Sequence, residues 1–206
     1  MWRKTDRWAP LAGVAFVVLV LIGGPALQGS TPDGTASAAD VIAFYRAHAG
    51  AEKASVFVLG FAFAAFLCFA GALRSRWRTK QGVEGVTALV LAAASIEVVG
   101  QCGRAGAVFA LSTVPDRLSP QSAQALNLTA NGVVVISAVG MLLFGVLTGV
   151  MILRAPGIVP TWLGWVAIVV GVLFVVPPVE FVGFLVLVVW VVTMSVLLVR
   201  GDRAAA

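Results

Sequence analysis

The chain has 206 residues, of which 60% are hydrophobic and 11% are charged. A soluble domain carries about 45–50% apolar and about 25% charged residues, so this composition excludes an ordinary soluble protein. The net charge of +5 would suit nucleic acid, but the basic residues cluster at the ends of apolar segments, where such residues set membrane orientation. We therefore expect a membrane protein with the lipid bilayer, and not nucleic acid, as its partner.

Several apolar runs are long enough to cross the hydrocarbon, which needs about 20 helical residues. The run 162–199 is long enough for two spans, although the first of them, 162–176, is short. These runs are continuous and do not alternate with polar residues, which favours helices over the strands of a barrel. The sequence thus predicts an all-α integral membrane helix bundle that forms a single domain over residues 1–206. The predicted spans are 9–27, 54–73, 83–113, 128–153, 162–176 and 179–199.

Local signals refine these boundaries. Gly23, Gly24 and Pro25 are expected to loosen the outer end of the first span. Ser37 and Asp40 have the spacing of a helix cap, and the segment after them predicts a short amphipathic helix lying on the outer membrane surface. Pro177-Pro178 is expected to separate the last two spans.

The distribution of charge predicts that both termini lie in the cytoplasm. With the N-terminus inside, ten basic residues fall on cytoplasmic segments and three on outer segments, as the positive-inside rule requires. The cytoplasmic residues are Arg3, Lys4, Arg7, Arg74, Arg76, Arg78, Lys80, Arg154, Arg200 and Arg203, and the outer ones are Arg46, Lys53 and Arg117.

The third span carries a polar stripe, which is the candidate site. Glu97, Gln101 and Arg104 are spaced by four and three residues, so they share one face of a helix. A charge in the membrane interior is costly, at ~2.5 kcal/mol or more, so the stripe must face protein or a water-filled cleft.

Two interpretations of the stripe stay open. In the structural one, Glu97 and Arg104 neutralise each other through Gln101 and a neighbouring helix, with Ser137 and Thr193 as candidate partners. In the functional one, the three side chains line a polar cavity for a substrate headgroup, an ion or a proton.

Other sites are not indicated. Cys68 and Cys102 are expected to differ by about 12 Å in depth, too far for a disulfide. No spacing of residues suggests a metal site, and we expect no cofactor and no catalytic residue. Gly145-x-x-x-Gly149 has the spacing that lets two helices approach closely.

Two segments carry a resemblance. The run from Ser37 to His48, followed by a span and Ala72-Leu73-Arg74-Ser75-Arg76, resembles a group of small polytopic membrane proteins of unknown function from high-GC bacteria, as does Pro160-Thr161-Trp162-Leu163-Gly164-Trp165. The resemblance implies a multi-pass protein of the bacterial inner (plasma) membrane. It supplies no binding or catalytic residues.

Three functions are therefore considered. The first is a binding or accessory membrane component that packs against a membrane protein partner or a second copy of the chain. The second is a small transporter or carrier that uses Glu97, Gln101 and Arg104. The third is an intramembrane enzyme, of the cyclase or isomerase type, with Glu97 as its acid. The sequence favours a role that is not enzymatic.

Overall fold

A computed structural model describes residues 8–28, 30–176 and 179–204 of the chain, with the side chains of 202–204 left aside. The structure is 84% helical, and its described residues contain no strand. The described residues form seven α-helices in this order: α1 (Ala12–Leu21), α2 (Ala38–Trp77), α3 (Glu84–Thr113), α4 (Pro120–Gly132), α5 (Val134–Arg154), α6 (Trp162–Leu173) and α7 (Glu180–Ala204). The predicted all-α class is therefore confirmed.

Five helical segments of the described chain are long and apolar enough to cross a membrane. They are Ala9–Gln28, Ala38–Trp77, Glu84–Thr113, Pro120–Arg154 and Glu180–Gly201. The predicted span at 162–176 contains only the 12 residues of α6, which rise about 18 Å, less than the hydrocarbon thickness of about 30 Å. Six spans and the cytoplasmic placement of both termini therefore stay predictions. Pro177-Pro178 lies outside the described residues.

The first span loses its α-helical hydrogen bonding where the sequence predicted. A π-helical segment, Ile22–Gln28, follows α1 and contains Pro25, which has no N–H to donate. The hydroxyl of Ser55 on α2 donates a 2.6 Å hydrogen bond to the carbonyl of Gly23. A side chain of another helix thus satisfies a backbone group of this irregular segment, as the membrane interior requires.

The predicted surface helix is not a separate element, because α2 runs without interruption for 40 residues. Ser37 caps it as expected, its hydroxyl accepting from the Asp40 N–H at 3.2 Å. The polar first turns continue the helix because Val41 and Tyr45 are buried against the last turns of α3, beside Ala107 and Val108. At about 1.5 Å per residue, α2 rises about 60 Å, twice the hydrocarbon thickness.

A small helical cap therefore stands at one end of the bundle. It consists of the first turns of α2, the last turns of α3, helix α4 and the loop 30–37, and its buried apolar residues are Val41, Tyr45, Ala107, Val108, Leu111, Ala123 and Ala130. The amide of Asn127 on α4 donates to the Asp33 carbonyl at 2.7 Å and holds the loop in place. The Thr35 hydroxyl and then the Thr35 N–H, donating to the Asp33 carboxylate, lower the pKa of Asp33.

The opposite end, called the basic end below, is where α2, α5 and α7 end and α3 and α6 begin. Its charged residues include Arg74, Arg78, Lys80, Arg154 and Arg200. The Trp77 indole N–H donates to the Ala155 carbonyl at 3.3 Å and joins α2 to α5. The Trp190 indole N–H donates to the Leu163 carbonyl at 2.9 Å and joins α7 to α6.

Glycines bring α5 and α6 into backbone contact. A Cβ atom added to Gly145 would lie 2.7 Å from the Cα of Gly171, and one added to Gly149 would lie 2.5 Å from the Gly164 carbonyl oxygen. The Gly145-x-x-x-Gly149 spacing is thus used within the chain, where small residues let two helices approach closely.

Candidate functional site

Helix α3 presents Glu97, Gln101 and Arg104 along one face, as their spacing predicts. The Gln101 amide donates to one carboxylate oxygen of Glu97, Oε1, at 3.0 Å. Glu97 is only 6% exposed, whereas Gln101 and Arg104 are half-buried. The structure thus places the three predicted residues together on the protein-facing side of the helix.

Glu97 is buried because α3 and α5 touch at this level. A Cβ atom on Gly140 would lie 2.7 Å from the Cα of Glu97, and a Cβ atom on Gly100 would lie 2.8 Å from the backbone nitrogen of Ser137. The Ser137 hydroxyl donates to the backbone carbonyl of Glu97 at 3.4 Å. Ser137 is therefore a neighbour of Glu97, as expected. Its hydroxyl bonds to the Glu97 backbone and not to the carboxylate.

The depth of the stripe follows from helix rise. Glu97 is 13 residues beyond the start of α3 at Glu84, which is about 20 Å from the basic end, and Arg104 is about 30 Å from it. In a membrane that begins at the basic end, Glu97 would lie within the hydrocarbon and Arg104 near its far boundary.

The carboxylate of Glu97 is not neutralised by Arg104. Among the described residues the structure shows one ion pair, between Arg46 and Asp116. The second carboxylate oxygen of Glu97, Oε2, is buried and has no hydrogen-bond partner in the described part of the chain. Thr193 donates to the carbonyl of Val189 on its own helix. The partners expected for a structural ion pair are therefore not in place.

Two adjoining cavities lie against the stripe. One, of about 260 Å³, is bounded by α3, the start of α5 and the chain around the start of α7. The other, of about 310 Å³, extends toward α1, the π-helical segment and α2. Both are lined by Glu97, Gln101, Arg104, Phe174, Phe181 and Phe184. The three polar residues form one wall of each cavity, and phenylalanines from the α6–α7 region face them.

A second buried carboxylate, Glu52, lies on α2 near Arg104. It is fully buried, and neither of its oxygens has a hydrogen-bond partner among the described residues. The Gln28 side chain and, at longer range, the Arg104 guanidinium lie near it. A cavity of about 20 Å³, room for about one water molecule, lies beside Gln28 and Arg104.

Glu52 was not among the predicted site residues, because it falls in a polar segment that the sequence pattern places on the membrane surface. One signal could have identified it. Val41, Tyr45, Glu52, Ser55 and Leu59 recur at intervals of three, four and seven residues, which places Glu52 on the inward face of a helix. A continuous helix through this segment would have brought Glu52 to the level of Arg104.

The described residues contain no group of three or more His, Cys, Asp or Glu side chains that could hold a metal ion. Cys68 and Cys102 are both free, as their difference in depth predicted, and both side chains are exposed.

Comparisons with protein families, curated proteins and solved structures return no match to this chain.

The arrangement differs from an isolated structural ion pair, because its polar side chains line a cavity that a ligand could enter. The side chains of Glu97, Gln101 and Arg104 together line open space within the bundle. Pockets for small molecules have this form, a largely apolar lining with a few convergent polar groups. The geometry favours the interpretation in which the stripe lines a binding cavity.

Proposed function

We propose that this chain is a multi-pass protein of the bacterial inner membrane that binds a small ligand in the cavity beside Glu97, Gln101 and Arg104. One observation carries the proposal: Glu97, Gln101 and Arg104 together line open space beside a helix that is long and apolar enough to cross a membrane. Ionisable side chains are costly at membrane depth, and a bound ligand with complementary polar groups would recover part of that cost. Intramembrane ionisable residues mark substrate or ion sites in many proteins.

The cavity can be tested without knowing the ligand. In a variant with Cys68 and Cys102 replaced by Ala, a single Cys is placed at Ala138, which lines the 260 Å³ cavity, or at Ile136, which is exposed on the outside of α5. We expect a water-soluble maleimide to label the Cys at 138 and not the Cys at 136, which faces lipid. If both positions resist labelling, the cavity is closed to water and the proposal fails.

A carrier function is the second candidate, and the break between α6 and α7 favours it. Phe174, just after α6, and Glu180 and Phe181, at the start of α7, all line the cavity. Interrupted helices that line a cavity near the middle of the membrane form the substrate sites of many transporters. The deciding measurement is ligand flux into proteoliposomes. A carrier loses flux in Glu97→Gln while the variant still purifies as a folded protein, whereas loss of expression favours a structural role for Glu97.

The proposed orientation places the basic end in the cytoplasm and the cap outside, in accordance with the positive-inside rule. In the same background without native cysteines, Cys at Gln121 in the cap or at Lys80 at the basic end reports on it. We expect an impermeant maleimide added to intact spheroplasts to label position 121 alone, and labelling of position 80 alone would reverse the topology.

A membrane protein partner, or a second copy of the chain, also belongs to the proposal, and native mass spectrometry from membranes would detect either.

A further inference from the structure

A side opening connects the 260 Å³ cavity with the outer surface of the bundle. The cavity shares four lining residues with a neighbouring pocket of about 350 Å³, namely Val134, Ala138, Phe174 and Glu180. Beyond them the pocket is lined by Val135, Val139 and Val175, which are exposed on the outside of the protein. We call the opening lined by these seven residues the side passage. It lies between the start of α5 and the region that joins α6 to α7.

The depth of the side passage places it against lipid. Val134 is 20 residues and Val139 is 15 residues before the end of α5, so they lie about 30 Å and about 22 Å from the basic end. In a membrane about 30 Å thick that begins at the basic end, the passage faces the half of the hydrocarbon on the side of the cap. Its lining is apolar except for Glu180. A molecule that enters this way must therefore be dissolved in the bilayer.

Aromatic rings fill the bundle between the cavities and the basic end. Phe16 lines the 310 Å³ cavity; its ring centroid is 5.0 Å from that of Phe66, which is 4.9 Å from that of Phe144. Trp190 continues the layer, with Phe144 on one side and Phe69 on the other. All five side chains are buried. Phe144 is 10 residues before the end of α5, so the layer lies about 15 Å from the basic end and closes the cavities on that side.

The inner wall of the cavities offers hydrogen bonds to a polar head group. Gln101 and Arg104 line both cavities and are half-buried. Arg104 has no hydrogen-bond or ion-pair partner among the described residues, and a guanidinium only donates hydrogen bonds. A ligand that bonds to Arg104 must therefore carry an acceptor oxygen, as an ester or a hydroxyl does. An oxygen-bearing head inside and an apolar passage to the lipid together match the two parts of an amphiphile.

We propose that the cavity takes up an amphiphile from the leaflet on the side of the cap. The molecule enters through the side passage, its head group bonds to Gln101 and Arg104, and its chain extends through the passage into the bilayer. This inference rests on the proposed function and names the ligand class and the route for the same site. Because the chain remains partly in the lipid, the cavity holds only the head group and the adjoining carbons. Volumes of about 260 and 310 Å³, near the lower end of the range of about 300–1,000 Å³ for ligand pockets, are sufficient for that.

A photoreactive amphiphile tests where such a molecule binds. Monolauroylglycerol with a diazirine beside its ester is dissolved in nanodiscs that hold the full chain and is illuminated, and mass spectrometry identifies the crosslinked residues. We expect crosslinks to Met141, which lines the 310 Å³ cavity and is only 3% exposed, so that surrounding lipid does not reach it. Unmodified monolauroylglycerol should remove the Met141 crosslinks at concentrations that leave those on lipid-facing residues nearly unchanged.

A matched pair of variants on α5 tests the route. Val139→Trp adds bulk at the outer mouth of the side passage, where the bound chain lies, so affinity should fall by about tenfold, a loss of the size that overpacking causes. Ile136→Trp is the control, because Ile136 is as exposed as Val139, at 45% against 43%, but lines neither the cavities nor the side passage. It should keep the Met141 crosslinks of the parent. Both changes add atoms on the outside of the helix, and size-exclusion chromatography checks that both variants fold.

The outcomes separate this inference from the proposed function. Met141 crosslinks that persist in Val139→Trp would show that the amphiphile enters by another path, which overturns the inference. Equal losses in the two Trp variants overturn it as well. Crosslinks confined to lipid-facing residues would show that the amphiphile acts only as bilayer lipid and would reject the ligand class. In each of these cases, labelling of a Cys at 138 by the water-soluble maleimide still decides whether the cavity is open.

Discussion

Gly140 on α5 lies directly against the backbone of Glu97 on α3, so that a Cβ atom at position 140 would come within 2.7 Å of the Glu97 Cα. This contact holds the carboxylate inside the bundle. It makes residue 140, which carries no functional group, a determinant of the candidate site.

We therefore expect Gly140→Ala to push α3 and α5 apart and to lower the free energy of unfolding by about 1–3 kcal/mol, the usual cost of overpacking. The measurement is equilibrium unfolding in mixed micelles. Gly60→Ala is the control, because a Cβ atom at position 60 on α2 meets nothing within 4 Å, and it should be neutral or stabilise the helix by up to about 1 kcal/mol. Equal stabilities of the two variants would mean that the α3–α5 contact is looser than the structure shows.

Ser55→Ala should destabilise the junction between α2 and the π-helical segment. It removes the 2.6 Å hydrogen bond to the Gly23 carbonyl, and hydrogen bonds between membrane helices contribute about 0.6 kcal/mol on average and up to about 1.7 kcal/mol. Thermal unfolding in detergent measures the loss. Ser75→Ala is the matched control, since the Ser75 hydroxyl bonds to the carbonyl of Ala72 on its own helix. A control variant as unstable as Ser55→Ala would refute the role of the Gly23 contact.

Trp190→Phe should be costly, although tryptophans commonly sit at membrane interfaces. Trp190 is buried at 3% exposure, donates to the Leu163 carbonyl and meets Phe69 and Phe144 edge to face. Losing the bond and part of the ring should cost about 1–3 kcal/mol. The midpoint of thermal unfolding measures it, with Trp165→Phe for comparison, since Trp165 is 62% exposed. Similar midpoints for the two variants would contradict this prediction.

The ion pair between Arg46 and Asp116 should contribute little. Both side chains are more than half exposed, at 60% and 67%, and exposed pairs are worth about 0–1 kcal/mol. A double-mutant cycle with Arg46→Ala and Asp116→Ala at low and high salt should give a small coupling that salt weakens further. A coupling well above this range, or one that salt leaves unchanged, would show that the pair is more shielded from water than its exposure indicates.

Much of the helical framework could be predicted from sequence, because local chemistry decides it. The cap at Ser37, the loosened turn at Pro25 and the shared face of Glu97, Gln101 and Arg104 depend on residues within a few positions of each other. The continuity of α2 could not be predicted in this way. Burial of Tyr45 against α3 decides it, and that contact joins residues more than 60 positions apart.

The residues that surround the candidate site could not be predicted either, because they also come from distant parts of the sequence. Nothing near Glu97 in the sequence indicates that Gly140 will press against it or that Phe174 and Phe184 will face it across a cavity. Such neighbours are fixed by the packing of α3, α5 and α7. Predicted membrane depth alone suggested both Ser137 and Thr193 as neighbours of Glu97. Ser137 does contact the Glu97 backbone, whereas Thr193 lies on α7 and bonds within its own helix.

If α6 crosses the membrane as the sequence predicts, its shortness has a consequence for the lipid around the protein. Its 12 residues cannot match the thickness of an average bilayer, and a membrane adapts to a short hydrophobic element by thinning locally, at a cost of fractions of a kcal/mol per Å of mismatch. The lipids beside α6 would then be compressed, and the protein should be more stable in bilayers of short acyl chains than in bilayers of long ones. The length of the lipid acyl chains would then affect how α6 packs, and with it the side of the cavity that the α6–α7 region forms.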